Sequence, residues 1–583
     1  MNKLDAGLRF LQAQSDAALD ELVEGRRSLL AKSRGQRNTQ VRLLAQFSGD
    51  LAALTRAGLA ITSVAGDVVA GFGPLSRLEQ IAAVQGLRVV EQSRPMRTEL
   101  DVSMPATRAN LVHAGPPARR GGGVIVGVID SGIDWRHGCF RHADGRSRIL
   151  RIWDQRLAPV AGESSPAGFG YGVEYTQAQI DAHLLGAAPA VPVRHDDTNG
   201  HGTHVAGIAA GNGSPAGDGR PAFTFVGMAP QADIVIVANS IGADSLGDSA
   251  NTLDGASWIF SVAASLGKAC VINQSQGDYI GPHDGTSLLE RGIDTLLRTK
   301  GRAMVKSAGN AAQDDAHAMG SVPPGGILNM PMRVGAADGT DDTVDIWYEG
   351  ADRFGFAIVP PGGAASAQVL PASTTTLTLP NGNRVFVDST LNNPFNRDNR
   401  IFVRLQRGTR PAIQAGVWVL RLHGLTVSAG TAHAWIQRGN GPRFLAPVVS
   451  NRSTISIPGT GRRIITVGSY VTKGAGVGGL SDFSSRGPAR DGRTKPEISA
   501  PGQEITSALS GASGPDQYVG MSGTSMAAPH VTGAVALMLE RTKSATVASL
   551  RNRLTQHAVA DGLTGATPNA DWGFGKLDAK ASN

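Results

Sequence analysis

The chain is 583 residues long, 41% apolar and 18% charged, with a net charge of +7 and no apolar run of membrane-spanning length. Residues 1–120 hold 16 Lys+Arg against 11 Asp+Glu, so +5 of the +7 lies there, without the clustering on one element that nucleic-acid binding requires. Two cysteines, Cys139 and Cys270, exclude a disulfide framework, fit no metal-ligand spacing and read as reduced structural thiols.

A chain of this length calls for two to four domains. The leading stretch, MNKLDAGLRFLQAQSDAALDELVEGRRSLL, is interrupted by charge every few residues and lacks the apolar core of a signal peptide. Leu4, Leu8, Leu11, Leu19 and Leu22 fit an amphipathic helix, so residues 1–38 are expected to be a helical segment. A cytoplasmic location follows as an expectation, with export by another route left open. Residues 39–92 alternate strand and helix patterns in the order β-α-β-β-α-β, a split βαβ unit assigned to 39–100.

From GGGVIVGVID onward the pattern changes. Val124, Ile125, Val126, Val128 and Ile129 form the continuous apolar run of a parallel strand buried on both faces. ADIVIVANS, ACVINQSQG and GRAMVKSAGN repeat it, with helical stretches between, which predicts a doubly wound parallel α/β sheet. That domain is assigned to 101–329 and 446–583. Between them, residues 330–445 hold short alternating segments such as TVDIWYEG, RIFVRLQRG and GVWVLRLHG, predicting an inserted all-β sandwich or jelly roll.

GTSMAAPH places Ser525 where small and hydroxyl residues run into an apolar helix, so it is either a helix cap or a nucleophile. VIDSGID puts Asp130 just past a buried strand, and NGHGTHVAGIAAG puts His201 at a helix start. A serine hydroxyl needs an imidazole to accept its proton, and the imidazole needs a carboxylate on its other nitrogen. In open α/β sheets such groups converge at the carboxyl ends of strands. Asn310, in KSAGN directly after a strand, and the Ser525 N–H are candidate donors to a developing oxyanion. Asp196 and Asp197 are weaker alternatives to Asp130. His204 and His530, one turn into their helices, read as packed core histidines, and Trp153–Gln155 as structural.

VIDSGID, GHGTHVAG, SAGN and GTSMAAPHVTGA, in that order, resemble the subtilisin-like serine proteases; FSSRGP, KPEISAPG and GFGKLDA extend the likeness. The resemblance covers about 120–320 and 450–583. It implies Asp130 as orienter, His201 as general base and acid, Ser525 as nucleophile and Asn310 as oxyanion donor. It also implies that Ser275, Gln276 and Gly277 pair with substrate backbone, with Gln276 replacing the commoner small or aromatic residue. The expected activity is that of a serine endopeptidase acting on proteins or peptides through an acyl-enzyme. A peptide ligase or cyclase with the same triad and a silent binding scaffold are the alternatives.

The split βαβ unit resembles the inhibitory propeptides of this family, which makes the chain's own propeptide a partner and predicts autocleavage within 92–105, with Met96 or Arg97 as candidate P1 residues. The β insertion resembles the jelly-roll insert of the Csp proteases of spore-forming bacteria, with rigidification its first expected role. No cofactor, nucleic-acid partner or membrane partner is expected. Structural calcium is common in the family, but no oxygen-rich loop suggests ligands.

Overall fold

A computed structural model describes residues 3, 4, 8, 30, 31, 39–65, 68–92, 100–187, 191–217, 219–239, 248–336, 338–437, 441–511 and 517–583. The chain divides into two compact units, Met1–Thr98 and Glu99–Asn583. Of the leading leucines, Leu4 and Leu8 are buried in the first unit's core, whereas Leu11, Leu19 and Leu22 lie outside the described residues.

In the first unit, strands Gln40–Phe47, Ala60–Ala65, Val68–Pro74 and Leu87–Gln92 alternate with helices Leu51–Ala57 and Leu78–Ala82. Among the described residues all strand pairs are antiparallel, including Leu30–Ala31 beside Gln40–Phe47, which corrects the expectation of helix there. Gln40–Phe47 lies between Val68–Pro74 and Leu87–Gln92, and Ala60–Ala65 sits outside Val68–Pro74. Leu43, Leu54, Ile81 and Val90 are fully buried between sheet and helices.

The second unit is built on eight strands: β1 (Val124–Asp130), β2 (Ile149–Asp154), β3 (Val173–Thr176), β4 (Asp233–Ala238), β5 (Ala269–Gln274), β6 (Arg302–Ser307), β7 (Ile465–Val471) and β8 (Ile498–Gln503). Their order across the sheet is β8-β7-β6-β5-β1-β4-β2-β3. Every pair is parallel except β2–β3. This antiparallel edge corrects the expectation of a purely parallel sheet. Residues 155–172 contain turns and no helix, so the chain returns directly beside β2 without the crossover that a parallel neighbour needs.

Every residue of β1 is buried, as its unbroken apolar run requires. Each such Val or Ile contributes roughly 1.5–3 kcal/mol by leaving water. Helices α1 (His201–Ala210) and α2 (Thr524–Arg541) pack together against this sheet. A Cβ on Gly533 of α2 would lie 2.2 Å from Met228 Cβ and 2.9 Å from the Ala209 carbonyl, so glycine is what lets α2 lie this close to α1.

Residues 317–444 form two antiparallel sheets. One has six strands: His317–Ser321, Thr431–Ile436, Asp342–Tyr348, Asn399–Gln406, Arg384–Thr390 and Thr374–Thr378, in that spatial order. The other has four: Arg353–Val359, Gly416–Thr426, Ile327–Val334 and Arg443–Phe444. Alternate residues of both sheets, among them Ile346, Val403, Phe356, Trp418 and Leu420, share one apolar core. The insert is tied to the α/β body by a cluster of Trp347 and Trp435 with Tyr279 and Ala311. Arg490 adds an ionic tie, bridging Asp284 of the body and Asp398 of the insert at 2.8 and 2.5 Å.

Candidate active site

The strand order decides what meets. β6, β5 and β1 are adjacent and parallel, so the residues following their carboxyl ends stand in a row: Asn310 after β6, Ser275 after β5, and Asp130 closing β1. α1 and α2 begin over the same edge, carrying His201 and Ser525. One cavity of about 480 Å³ is lined by Asp130, His201, Ser275, Asn310 and Ser525, together with Ser131, Asn199, Met521, Ser522 and Met526.

Asp130 is 1% exposed. Its Oδ1 accepts from the Ser131 N–H at 2.8 Å and lies 2.6 Å from His201 Nδ1. A buried carboxylate so placed keeps the proton on Nδ1 and leaves Nε2 as the basic nitrogen. His201 itself is partly open to the cavity. Gly202, the next residue, permits the approach, because a Cβ there would lie 2.2 Å from the Gly132 carbonyl. Of the two alternatives, Asp196 gives its backbone carbonyl to Arg156 at 2.8 Å. Asp197 instead accepts from the N–H groups of Gly200 and Thr203 and from the Thr203 hydroxyl, which fastens the start of α1.

Ser525 does not cap its helix. The N-cap position falls on Gly523, with no side-chain hydrogen bond, and Ser525 lies in the first turn. Its Oγ donates to the Ser275 carbonyl at 3.2 Å. Pro529 has no N–H to give the Ser525 carbonyl the usual helical bond. The Ser275 hydroxyl supplies it instead at 3.0 Å, and accepts from Asn273 Nδ2 at 3.0 Å. This reciprocal pair of bonds anchors the head of α2 to the end of β5.

The orientation of Asn310 is set by donors. The Thr524 N–H and hydroxyl both bond to Oδ1, at 2.9 and 2.8 Å, and the Thr524 hydroxyl accepts from the Gly309 N–H at 3.1 Å. Only the amide oxygen can accept from an N–H, so Nδ2 is the atom left to donate. Ser275 lines the cavity. Gln276 is 3% exposed, and Gly277 packs under the Ile457 carbonyl, which a Cβ would meet at 2.6 Å.

Two groups escaped the sequence reading in this role. Thr524 was visible only as part of a motif, with nothing to show that it grips Asn310. The other is a buried network. His195 Nδ1 lies 2.7 Å from Asp154 Oδ2, Arg156 bonds both oxygens of Asp154, and the Ile133 N–H donates to His195 Nε2 at 3.1 Å. It braces the loop that follows Asp130. Arg156 holds the Asp154 carboxyl far below the usual carboxylate range, despite burial. His204 and His530 are fully buried, and desolvation lowers them to about 3 and about 4. Among the described residues no group of three or more His, Cys, Asp or Glu is arranged to hold a metal ion, and no helix is long and apolar enough to cross a membrane.

Residues 121–393 and 425–575 match the subtilase family, peptidase family S8. The chain belongs to the subtilase family. Its fold is similar to the CspB protease of Clostridium perfringens, with a TM-score of 0.72 and 27% identity over 82% of this chain and 96% of that one. It is 27% identical over 443 residues to the C5a peptidase of Streptococcus pyogenes, covering 72% of this subtilase and 35% of the relative. It is 26% identical over 537 residues to the PII-type proteinase of Lactococcus lactis subsp. cremoris, covering 81% of this chain and 25% of the relative. The chain thus spans about a third or less of these two relatives' length.

Proposed function

We propose that this subtilase is a serine endopeptidase whose triad is Asp130, His201 and Ser525. The observation that carries the reading is the 2.6 Å contact between His201 Nδ1 and Asp130 Oδ1 on a cavity shared with Ser525 and Asn310. His201 Nε2 takes the proton of the Ser525 hydroxyl as Oγ attacks the scissile carbonyl. The oxyanion receives hydrogen bonds from Asn310 Nδ2 and from the Ser525 N–H, one of the first-turn donors that lack a helical acceptor. Asp130 stabilises the imidazolium. His201 then protonates the leaving amine, and water repeats the sequence to release the acyl group. The partner is a protein or peptide chain, aligned along Ser275–Gly277.

We also infer that residues 39–100 act as an inhibitory, folding-assisting propeptide, cut within 92–105. Supporting this are their separation as a compact unit and their antiparallel βαββαβ order. Of the cut region, 93–99, with Met96 and Arg97, lie outside the described residues. The insert, read as a jelly roll like that of the Csp proteases, serves to stiffen the body through Trp347 and Trp435. No resident cofactor is assigned to these steps.

The test is a fluorophosphonate probe applied to the full chain and to Ser525→Ala, read with the N-terminal mass. Labelling lost in the variant, with a wild-type chain shortened by 92–105 residues, supports both readings. Labelling with an intact N-terminus overturns the propeptide reading alone. Absence of labelling in a chain already shortened overturns the catalytic one.

A further inference from the structure

A second cavity, about 920 Å³, opens on the α/β unit and shares no lining residue with the active site. Its volume falls within the range of small-molecule sites. Five cationic or imidazole side chains line it: His113, Arg120, Arg141, His142 and Arg148. No Asp or Glu is among its described lining residues.

Arg148 is the unusual member. It is 3% exposed, and its guanidinium donates to the carbonyls of Cys139, Ala210 and Ala232 at 3.3, 2.7 and 2.5 Å. It forms no ion pair among the described residues. The nearby carboxylate of Asp233 is bound to Lys268 instead. Burial lowers Arg148 to about 10, so it remains cationic at neutral pH.

Ala210 closes α1, whose negative end offsets part of this buried charge, and an approaching anion would offset more. Arg141 repeats the theme. Its Nε is buried with no partner among the described residues, and its Nη2 donates to the Arg136 carbonyl. Glu540 lies beside Arg120, but one of its oxygens already accepts from the Arg120 and Gly121 N–H groups at 2.9 and 2.7 Å. The rest of the wall offers apolar surface from Met104, Val226 and Phe223. Phe223 is 67% exposed and has a φ of 65°, a strained backbone that presents an aromatic ring at the rim.

We propose that this cavity binds an organic anion, an apolar body bearing a carboxylate or a phosphate, with the anion at Arg148 and Arg141 and the body against Met104, Val226 and Phe223. The charge supplies selection for an anion, and the apolar wall selects against free inorganic ions. The site is independent of the peptidase reading.

The test is calorimetric titration of the full chain, as Ser525→Ala to prevent self-cleavage, with phenylacetate, phenyl phosphate and the uncharged phenylacetamide. The expected result is one-to-one binding of at least one anion at millimolar concentration or below and none of the amide. The anion that binds identifies the source as carboxylate or phosphate. Affinity should fall about tenfold, the loss of the charged Arg141 contact, when Arg141→Gln is combined with Arg120→Gln, which lowers the charge of the same wall. Arg148 also ties three carbonyls together, so the Arg120 and Arg141 substitutions carry the test, with unchanged thermal melting as the folding control. In a chain that retains Ser525 they should leave fluorophosphonate labelling intact. Equal binding of the amide, undiminished binding in the folded double variant, or no binding of either anion would overturn the proposal.

Discussion

Thr524 directs both its N–H and its hydroxyl onto one oxygen of Asn310, at 2.9 and 2.8 Å. That pair of bonds decides which end of the amide faces the cavity. Asn310→Ala should therefore lower kcat by about 10²–10³-fold with little change in KM, the usual loss for one oxyanion donor. Thr524→Val keeps the N–H and loses the hydroxyl, so it should cost a smaller factor, also in kcat. Steady-state kinetics on a peptide substrate separates the two. A rise in KM alone for either variant would show that Asn310 binds substrate and not the transition state.

Asp130 holds His201 through Nδ1, so Asp130→Asn should leave the fold intact and reduce kcat about 10⁴-fold, because the amide favours the wrong tautomer. Fluorophosphonate labelling should slow in parallel. A labelling rate equal to wild type would mean that another carboxylate orients the ring.

Asp154 neutralises Arg156 and fixes His195 in a fully buried setting. Asp154→Ala takes the carboxylate from a partly exposed Arg156 and leaves the buried His195 Nδ1 without its partner, and the expected destabilisation is about 1–3 kcal/mol. Asp154→Asn, which keeps a hydrogen-bonding group of the same shape, should cost less. Urea unfolding monitored by fluorescence gives both values. Equal stability of Asp154→Ala and wild type would show that the network braces nothing.

Three histidines meet where the insert joins the body. His317 Nε2 lies 3.1 Å from His433 Nδ1, Trp435 stacks on His283 at 4.1 Å, and Arg490 adds positive charge nearby. Burial, followed by repulsion from Arg490, lowers both His283 and His433 to about 4 from an ordinary value of 6.5. The unfolded chain therefore takes up these protons before the folded one does, and stability falls as pH drops from 6.5 to 4. The slope is up to about 1.4 kcal/mol per pH unit for each histidine. Asp342 works in the opposite sense. Burial raises it to about 7 from 3.8, so its contribution to stability declines as pH rises across that interval. His433→Gln should flatten the acid limb of a melting-temperature profile between pH 6.5 and 4. An unchanged profile would place the acid sensitivity elsewhere.

Much of the catalytic unit was legible because its signals are local. An unbroken apolar run such as Val124–Ile129 suits a strand buried on both faces, and a helix opening on His201 or Ser525 shows in the small residues that follow. The antiparallel β3 was not legible. Strand direction depends on whether the connection before it crosses the sheet, and residues 155–172 carry no periodicity that settles this. From its local residues alone Ser525 could be a cap or a nucleophile, since both uses favour a hydroxyl in that place, and only the resemblance favours the nucleophile.

What the sequence by itself determined was the family, because four ordered motifs fix which residue types lie beside strand ends and helix starts. What only the tertiary structure decided was their support. Pro529 frees a carbonyl that Ser275, 250 residues earlier, must satisfy. Thr524 turns the amide of Asn310, and His195 reaches Asp154 across 41 residues to brace the loop after Asp130. Contacts of that length arise from the order in which strands are laid side by side, and that order depends on packing the whole chain.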